Sequence, residues 1–203
     1  MPIKQPRSVR QTLAGLCGLL CAGTLPAAAE DYDIDPNHTF ATFEISHLGI
    51  ATQRGRLGHA SGKVTLDGEA GVGGADIVID ARSVSTGSEA MEKLLRGKDF
   101  FNVEQFPDIA YKAQSMVFAD GKPQRIGGQL TLLGVSKSVP LTVTGYGCTR
   151  KPFLVQLRCG MDASATFKRS DFGMLGFLSF TSDEVKLTIQ AEAVVPPKPQ
   201  ALD

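Results

Sequence analysis

Residues Gly128 to Gly147 read GQLTLLGVSKSVPLTVTGYG, and the spacing of their apolar residues decides the fold. Leu130 and Leu132 fall on one face of a first run, and Val139, Leu141 and Val143 on one face of a second. Leu133-Gly134-Val135-Ser136-Lys137 is the turn expected between them. Side chains alternate across a strand with period two, so two neighbouring alternating runs specify a half-buried antiparallel pair.

The pattern recurs outward from that pair. Phe43, Ile45 and His47 share a face in FATFEISHLG, Val64 and Leu66 in GKVTLDGE, and Ile77, Ile79 and Ala81 in ADIVIDARSV. Ile109, Tyr111 and Ala113 alternate after Pro107, Met161, Ala163, Ala165 and Phe167 in MDASATFKRS, and Val185, Leu187, Ile189 and Ala191 close the series. About eight strands follow, with no long helical pattern between them. A sheet of such runs must stack on a second sheet or close on itself. The expected fold is therefore all-β and antiparallel, and if the sheet closes it is a single barrel whose apolar faces line an interior.

One segment breaks the series, between the third and fourth runs. Thr86-Gly87-Ser88-Glu89 has the form of a capping box with Thr86 as N-cap and Glu89 reaching back. Glu92 to Arg96 keeps helical spacing and Gly97 ends it. Phe100, Phe101, Val103 and Phe106 then cluster in a polar loop, so a short helix and a lid-like loop are expected on one end of the barrel.

The N-terminal 29 residues have the layout of an export signal. Lys4, Arg7 and Arg10 precede an apolar stretch from Thr12 to Leu25, and Pro26-Ala27-Ala28-Ala29 supplies a small-residue cleavage site before Glu30. The apolar stretch falls short of the ~20 residues of a spanning helix. Cys17 and Cys21 each follow a leucine, where a lipoprotein signal needs a small residue. Residues 30–203 are then one periplasmic or secreted domain, and Pro196-Pro197-Lys198-Pro199 starts a frayed tail over 196–203. The full chain balances 21 basic against 21 acidic residues, so the mature part is slightly acidic, which offers nucleic acid no attraction.

Only Cys148 and Cys159 remain after cleavage, on either side of the segment Thr149 to Arg158. In an oxidising compartment a structural bridge across that hairpin is expected, and a redox pair would want CxxC spacing.

Motifs for chemistry are sparse. His38, His47 and His59 have no carboxylate or cysteine at ligand spacing, so no metal is expected. No GxSxG elbow is present, and Ser170-Asp171-Phe172-Gly173 matches a kinase loop in letters only. An enzyme acting on lipids would have to use His47 with Tyr111, so no catalytic residues are assigned.

The interior is what remains. Ala81, Ala113, Ala163, Ala165, Val64 and Val143 are small residues at inward positions, which leaves room for a guest. The candidate lining is Phe43, Ile45, Val64, Leu66, Ile77, Ile79, Tyr111, Leu130, Leu132, Leu141, Val143, Ala165, Phe167, Leu187 and Ile189. An apolar void stays dry, and an alkyl chain entering it gains about 0.8 kcal/mol per buried CH₂.

Five segments in order then resemble the YceI-like family of polyisoprenoid-binding proteins: YDIDPNHTFATFEISHLG from Tyr32, LLRGKDFFNVEQFPDIAY ending at Tyr111, GQLTLLGVSKSVPL from Gly128, ATFKRSDFGM from Ala165 and DEVKLTIQAEAV from Asp183. The resemblance implies a lipocalin-like barrel whose channel holds the isoprenoid tail of a quinone or related lipid, for transport, storage or sequestration. It implies no cofactor beyond that lipid and no catalytic residues. Transient contact with a membrane or a membrane quinone protein is expected of such a carrier. The cysteine hairpin resembles a variant found in part of the family. The competing reading is a filled barrel acting through its surface as an envelope stress or interaction protein. Oligomeric state, a homodimer included, stays open.

Overall fold

Among the described residues eleven strands form, and every pairing among them is antiparallel. A computed structural model of the chain describes residues 29–150 and 156–197. The expected signal apart from Ala29, the hairpin tip with Lys151-Pro152, and residues 198–203 lie outside the described residues.

The strands are β1 (Glu30–Ile34), β2 (Phe40–His47), β3 (Ala51–Leu57), β4 (Ala60–Asp67), β5 (Val72–Asp80), β6 (Asp108–Ala119), β7 (Lys122–Leu132), β8 (Val135–Ser138), β9 (Leu141–Thr149), β10 (Arg158–Lys168) and β11 (Glu184–Val194). Pairing runs β1-β4-β5-β6-β7-β9-β10-β11, and β1 pairs back onto β11 through Asp33↔Val194 and Ile34↔Ala193. An eight-stranded barrel is thereby closed, and closure removes the exposed edges of an open sheet.

β2 and β3 fit this barrel as continuations. β2 lies along β11 beyond β1, and β3 lies along β2 as β4 lies along β1. Each pair is thus one bent strand, broken at Asp35-Pro36 in the first and at Gly58-His59 in the second. Gly55 on β3 has no side chain because the ring of Phe43 occupies that space. Past the barrel rim β2 and β3 continue as a two-stranded hairpin around Leu48-Gly49-Ile50, and that hairpin carries His47.

The hairpin that opened the sequence reading is tighter than expected. Its turn is two residues, Leu133 (φ 52°) and Gly134 (φ 75°), and Val135 to Ser138 pair with β7 as strand β8. Positive φ at both positions matches the turn twist to the strand twist. Pro140 then ends β8, and β9 rejoins β7 through Arg125↔Thr142 and Ile126↔Leu141.

Helix α1 (Glu89–Arg96) crosses one end of the barrel, but its cap sits two residues later than expected. Ser88 is the N-cap, accepting from the Met91 N–H, because Gly87 (φ 77°) turns the chain just before it. Glu92, and not Glu89, reaches back, accepting from the N–H groups of Thr86 (2.8 Å) and Gly87 (3.2 Å). Behind α1 the loop buries Phe100, Phe101 and Val103 beside Leu95, Phe172 and Met174. We call this the lid end. Among the described residues no helix is long and apolar enough to cross a membrane.

Candidate functional site

The barrel is not filled. A cavity of about 220 Å³ extends along its interior, with a wall that is almost wholly apolar. Leu95, Phe100, Phe101 and Met174 bound it at the lid end, and Leu66, Met116, Pro123 and Tyr146 at the other.

All of the expected lining residues stand on the cavity wall except Val143 and Ala165. Those two pack against the buried cluster of Ala113, Ile126, Leu141 and Ala163, on the neighbouring strands β6, β7, β9 and β10. Of the six small residues expected to leave room, only Ala113 and Val64 line the cavity. Ala81 does not continue its strand: β5 ends at Asp80, whose side chain caps a 3-10 turn over Ala81–Ser83 and puts the methyl into the lid-end core.

Wall residues that the spacing missed have an identifiable cause. β6 slips by one residue between Ala113 and Ser115, and β9 slips opposite Asp162/Ala163. A bulge shifts which side chains face inward. Extrapolated alternation turns Ser115, Gly145 and Gly147 inward, whereas the cavity is lined by Met116 and Tyr146. Leu57, Met174, Glu192 and Arg169 were also missed, since they lie on a mostly exposed strand, in a loop, or carry charge.

Polar groups on the wall are few and each is engaged. The Tyr111 hydroxyl donates to the Val139 carbonyl at 3.0 Å across the side-chain gap left by Gly128, and burial pushes its pKa up to about 12. Tyr146 places its hydroxyl 3.2 Å from Cys148 Sγ. Cys148 and Cys159 are direct cross-strand partners and form the disulfide, S–S 2.04 Å, with Cys159 buried on the wall. The expected bridge is present.

Among the described residues Arg169 is the one buried cation on the wall, 2 % exposed. It donates to the carbonyls of Ser182 (3.0 Å), Met174 (3.1 Å) and Gly176 (2.7 Å) and to Thr181 Oγ1 (2.8 Å), and lies over the Phe100 ring at 5.9 Å. Burial pushes its pKa down, and the nearby Asp183 carboxylate opposes this. Its chemistry here is to tie the segment after the 3-10 turn Arg169–Phe172 across the lid end.

The opposite end is ionic. Arg158 donates to Asp35 and to Glu192 (2.9 Å), and His38 Nδ1 lies 2.9 Å from Asp35. Burial alone would raise the Asp35 pKa, but hydrogen bonds from Arg158 and His38 bring it down to about 2. Asp35, His38 and Glu192 bring ligand atoms within 4.8 Å of one another, yet the Arg158 guanidinium already satisfies both carboxylates. His47 and Tyr111 are not brought together: His47 lies on the hairpin beyond the rim, bridged to Thr181 and off the cavity wall.

This architecture has known counterparts. A YceI-like domain family model matches residues 32–193. A UPF0312 protein of Yersinia pestis (strain Pestoides F) is 34% identical over 190 residues, covering 92% of this chain and 98% of that protein. A UPF0312 protein of Pseudomonas paraeruginosa (strain DSM 24068 / PA7) is 33% identical over the same length and shares. Among solved structures, Burkholderia cenocepacia BcnA superposes with a TM-score of 0.64 at 22% identity, covering 79% of this chain and 99% of that one. The Campylobacter jejuni YceI protein does so at 0.64 and 24%, covering 75% and 90%. A polyisoprenoid binding domain from Saccharophagus degradans, implicated in plant cell wall breakdown, gives 0.59 and 18%, covering 81% and 98%. The chain belongs to the YceI-like domain family.

Proposed function

We propose that the protein is an exported lipid binder that holds the apolar tail of an isoprenoid quinone or related polyisoprenoid lipid inside its barrel, for transport, storage or sequestration. The observation that carries this reading is the free, almost wholly apolar space along the barrel interior. Water has no partners there, so an alkyl or isoprenoid chain is the favoured occupant. A dozen buried carbons supply about 10 kcal/mol of gross transfer free energy, enough to offset a typical association cost. The polyisoprenoid-binding domain among the solved relatives has the same fold, and the disulfide suits an oxidising compartment.

The cavity of about 220 Å³ is only somewhat larger than the ~150 Å³ that takes up a benzene-sized guest. A long tail enters by displacing flexible side chains, and Met116, Met161 and Met174 on the wall are the ones built to move. Head groups meet polar residues only at the two ends, so recognition rests on the tail. The wall's tyrosines, arginine and glutamate each have a structural partner, which favours binding over turnover.

Ala75 and Ala191 line the cavity from different strands. Ala75→Phe and Ala191→Phe each take up part of the free space and should weaken binding of a polyprenyl-tailed fluorescent probe at least tenfold, with the β-sheet circular dichroism retained. Unchanged probe affinity in both folded variants would mean that the tail does not sit in the barrel.

A further inference from the structure

Two loops at the lid end present apolar side chains to water. The β2–β3 hairpin exposes Leu48 and Ile50, and the segment after Met174 exposes Leu175, Phe177, Leu178 and Phe180. Ile50 is 82% exposed and Phe180 55%. The loops are joined to one another: the Leu48 N–H donates to the Phe180 carbonyl at 2.7 Å, and His47 bridges to Thr181. They form one surface.

His47 is the one ionisable side chain in either loop. Ser46 to Gln53 reads SHLGIATQ and Phe172 to Ser182 reads FGMLGFLSFTS, without Asp, Glu, Lys or Arg. Both present an apolar residue at positive φ, Leu48 at 53° and Phe177 at 54°. Asn or Gly adopts that conformation at lower cost and is better solvated. Local strain of this kind is retained where the surrounding structure enforces it, and it concentrates at contact sites.

The surface is continuous with the cavity. Exposed Phe177 stacks on Phe100 with ring centroids 5.9 Å apart, and Phe100 forms part of the cavity wall. Apolar side chains therefore run without a break from solvent at the lid end, through two stacked rings, to the cavity wall. A contiguous exposed apolar patch marks an interaction site, and an uncharged one favours insertion over electrostatic attachment.

We infer that the lid end docks on a lipid bilayer, with Leu48, Ile50, Phe177 and Phe180 entering the boundary between head groups and acyl chains. The inference rests on the proposed cargo being a membrane lipid. A bilayer is the occupant that such a path suits, because a tail passing between membrane and barrel through this surface never meets water. A second copy of the chain or another protein has no need of a surface whose rings pack against the cavity wall. Val72 and Val117 are exposed as well, but they stand on β5 and β6 and belong to neither loop.

The test is flotation with vesicles of phosphatidylethanolamine and phosphatidylglycerol, using the protein recovered in soluble form from an exporting bacterial host. Ile50→Asp and Phe180→Asp are compared with Val117→Asp, all at exposed sites outside the cavity wall. The unsubstituted protein should float with the vesicles at low and high salt alike. Ile50→Asp and Phe180→Asp should each lower the bound fraction about tenfold or more, the effect of losing one buried apolar side chain. Val117→Asp should bind as the parent does, and probe affinity in vesicle-free solution should be equal in all four proteins. Failure of the parent to float, or equal loss in Val117→Asp, overturns the docking and leaves the cargo reading standing. Sedimentation velocity showing that Ile50→Asp dissolves a dimer, without vesicle binding by the parent, assigns the surface to a second copy and overturns it as well. A parent that binds vesicles but no tailed probe overturns the cargo reading and this inference together.

Discussion

At one end of the barrel Arg158 is held between Asp35 and Glu192, and Cys148 is bonded to Cys159 on the facing strand. At the other, Phe100, Phe101, Phe172 and Met174 close the interior around a single buried arginine, and the loops beyond are apolar, without Asp, Glu, Lys or Arg. Charge and a covalent tie hold the first end; packing and the hydrogen bonds of Arg169 hold the second. The two should therefore answer to different perturbations. The ionic end responds to pH and reductant, and the lid end to lost contacts and unpaired polar atoms.

The lid end should give the largest single effect. Arg169→Ala leaves the carbonyls of Ser182, Met174 and Gly176 and the Thr181 hydroxyl without their donor in a buried site. A loss of about 3–5 kcal/mol is expected on chemical denaturation. Amide exchange should speed up first over residues 173–182 if the arginine ties that segment down. Uniform loss of protection across the barrel would instead give Arg169 a global role.

The disulfide comes next. Replacing Cys148 and Cys159 by serine reopens a loop of sequence separation 11 and should cost about 2–3 kcal/mol, with tail binding preserved. Reductant should do the same to the parent protein and nothing to the variant. A much smaller loss would show that the β9–β10 pairing alone holds this end.

Asp35→Asn probes the ionic cluster and carries a pH signature. Its folded pKa, about 2, lies below the ordinary value of 3.8, so its contribution is present above about pH 4 and is lost as pH falls towards 2. The variant should be less stable than the parent by up to about 2 kcal/mol at neutral pH. The gap should close in acid; one that persists at pH 2 would mean the cluster stabilises by packing and not by charge.

Tyr111→Phe lies between the two ends and should have the smallest effect. It removes the only hydroxyl donor to the buried Val139 carbonyl among the described residues. About 1 kcal/mol is expected, without pH dependence near neutrality, since the phenol titrates at about 12.

The same contrast explains how much was legible in the sequence. Alternation identified most of the strands and a wall that includes Phe43, Leu130 and Leu187, because a strand buried on one face writes that face into every second residue; closure into a barrel came from the family resemblance. β3 was missed because ATQRGRL mostly faces solvent, and β1 because it is short and merges into β2. Bulges hid Met116 and Tyr146, since a single inserted residue reverses parity and leaves no trace in composition. Arg169 was hidden by its charge. A buried guanidinium becomes apparent only when the carbonyls that satisfy it are in place, and these come from residues 174–182.

The barrel interior is proposed to take up a lipid tail. Native mass spectrometry of the protein purified without detergent from an exporting host, with its organic extract analysed alongside, tests this most directly. A mass shift matching about one isoprenoid-tailed lipid per chain, lost on extraction and restored by adding the lipid back, is the result expected. A protein that is recovered empty and stays empty when mixed with a membrane lipid extract would contradict it.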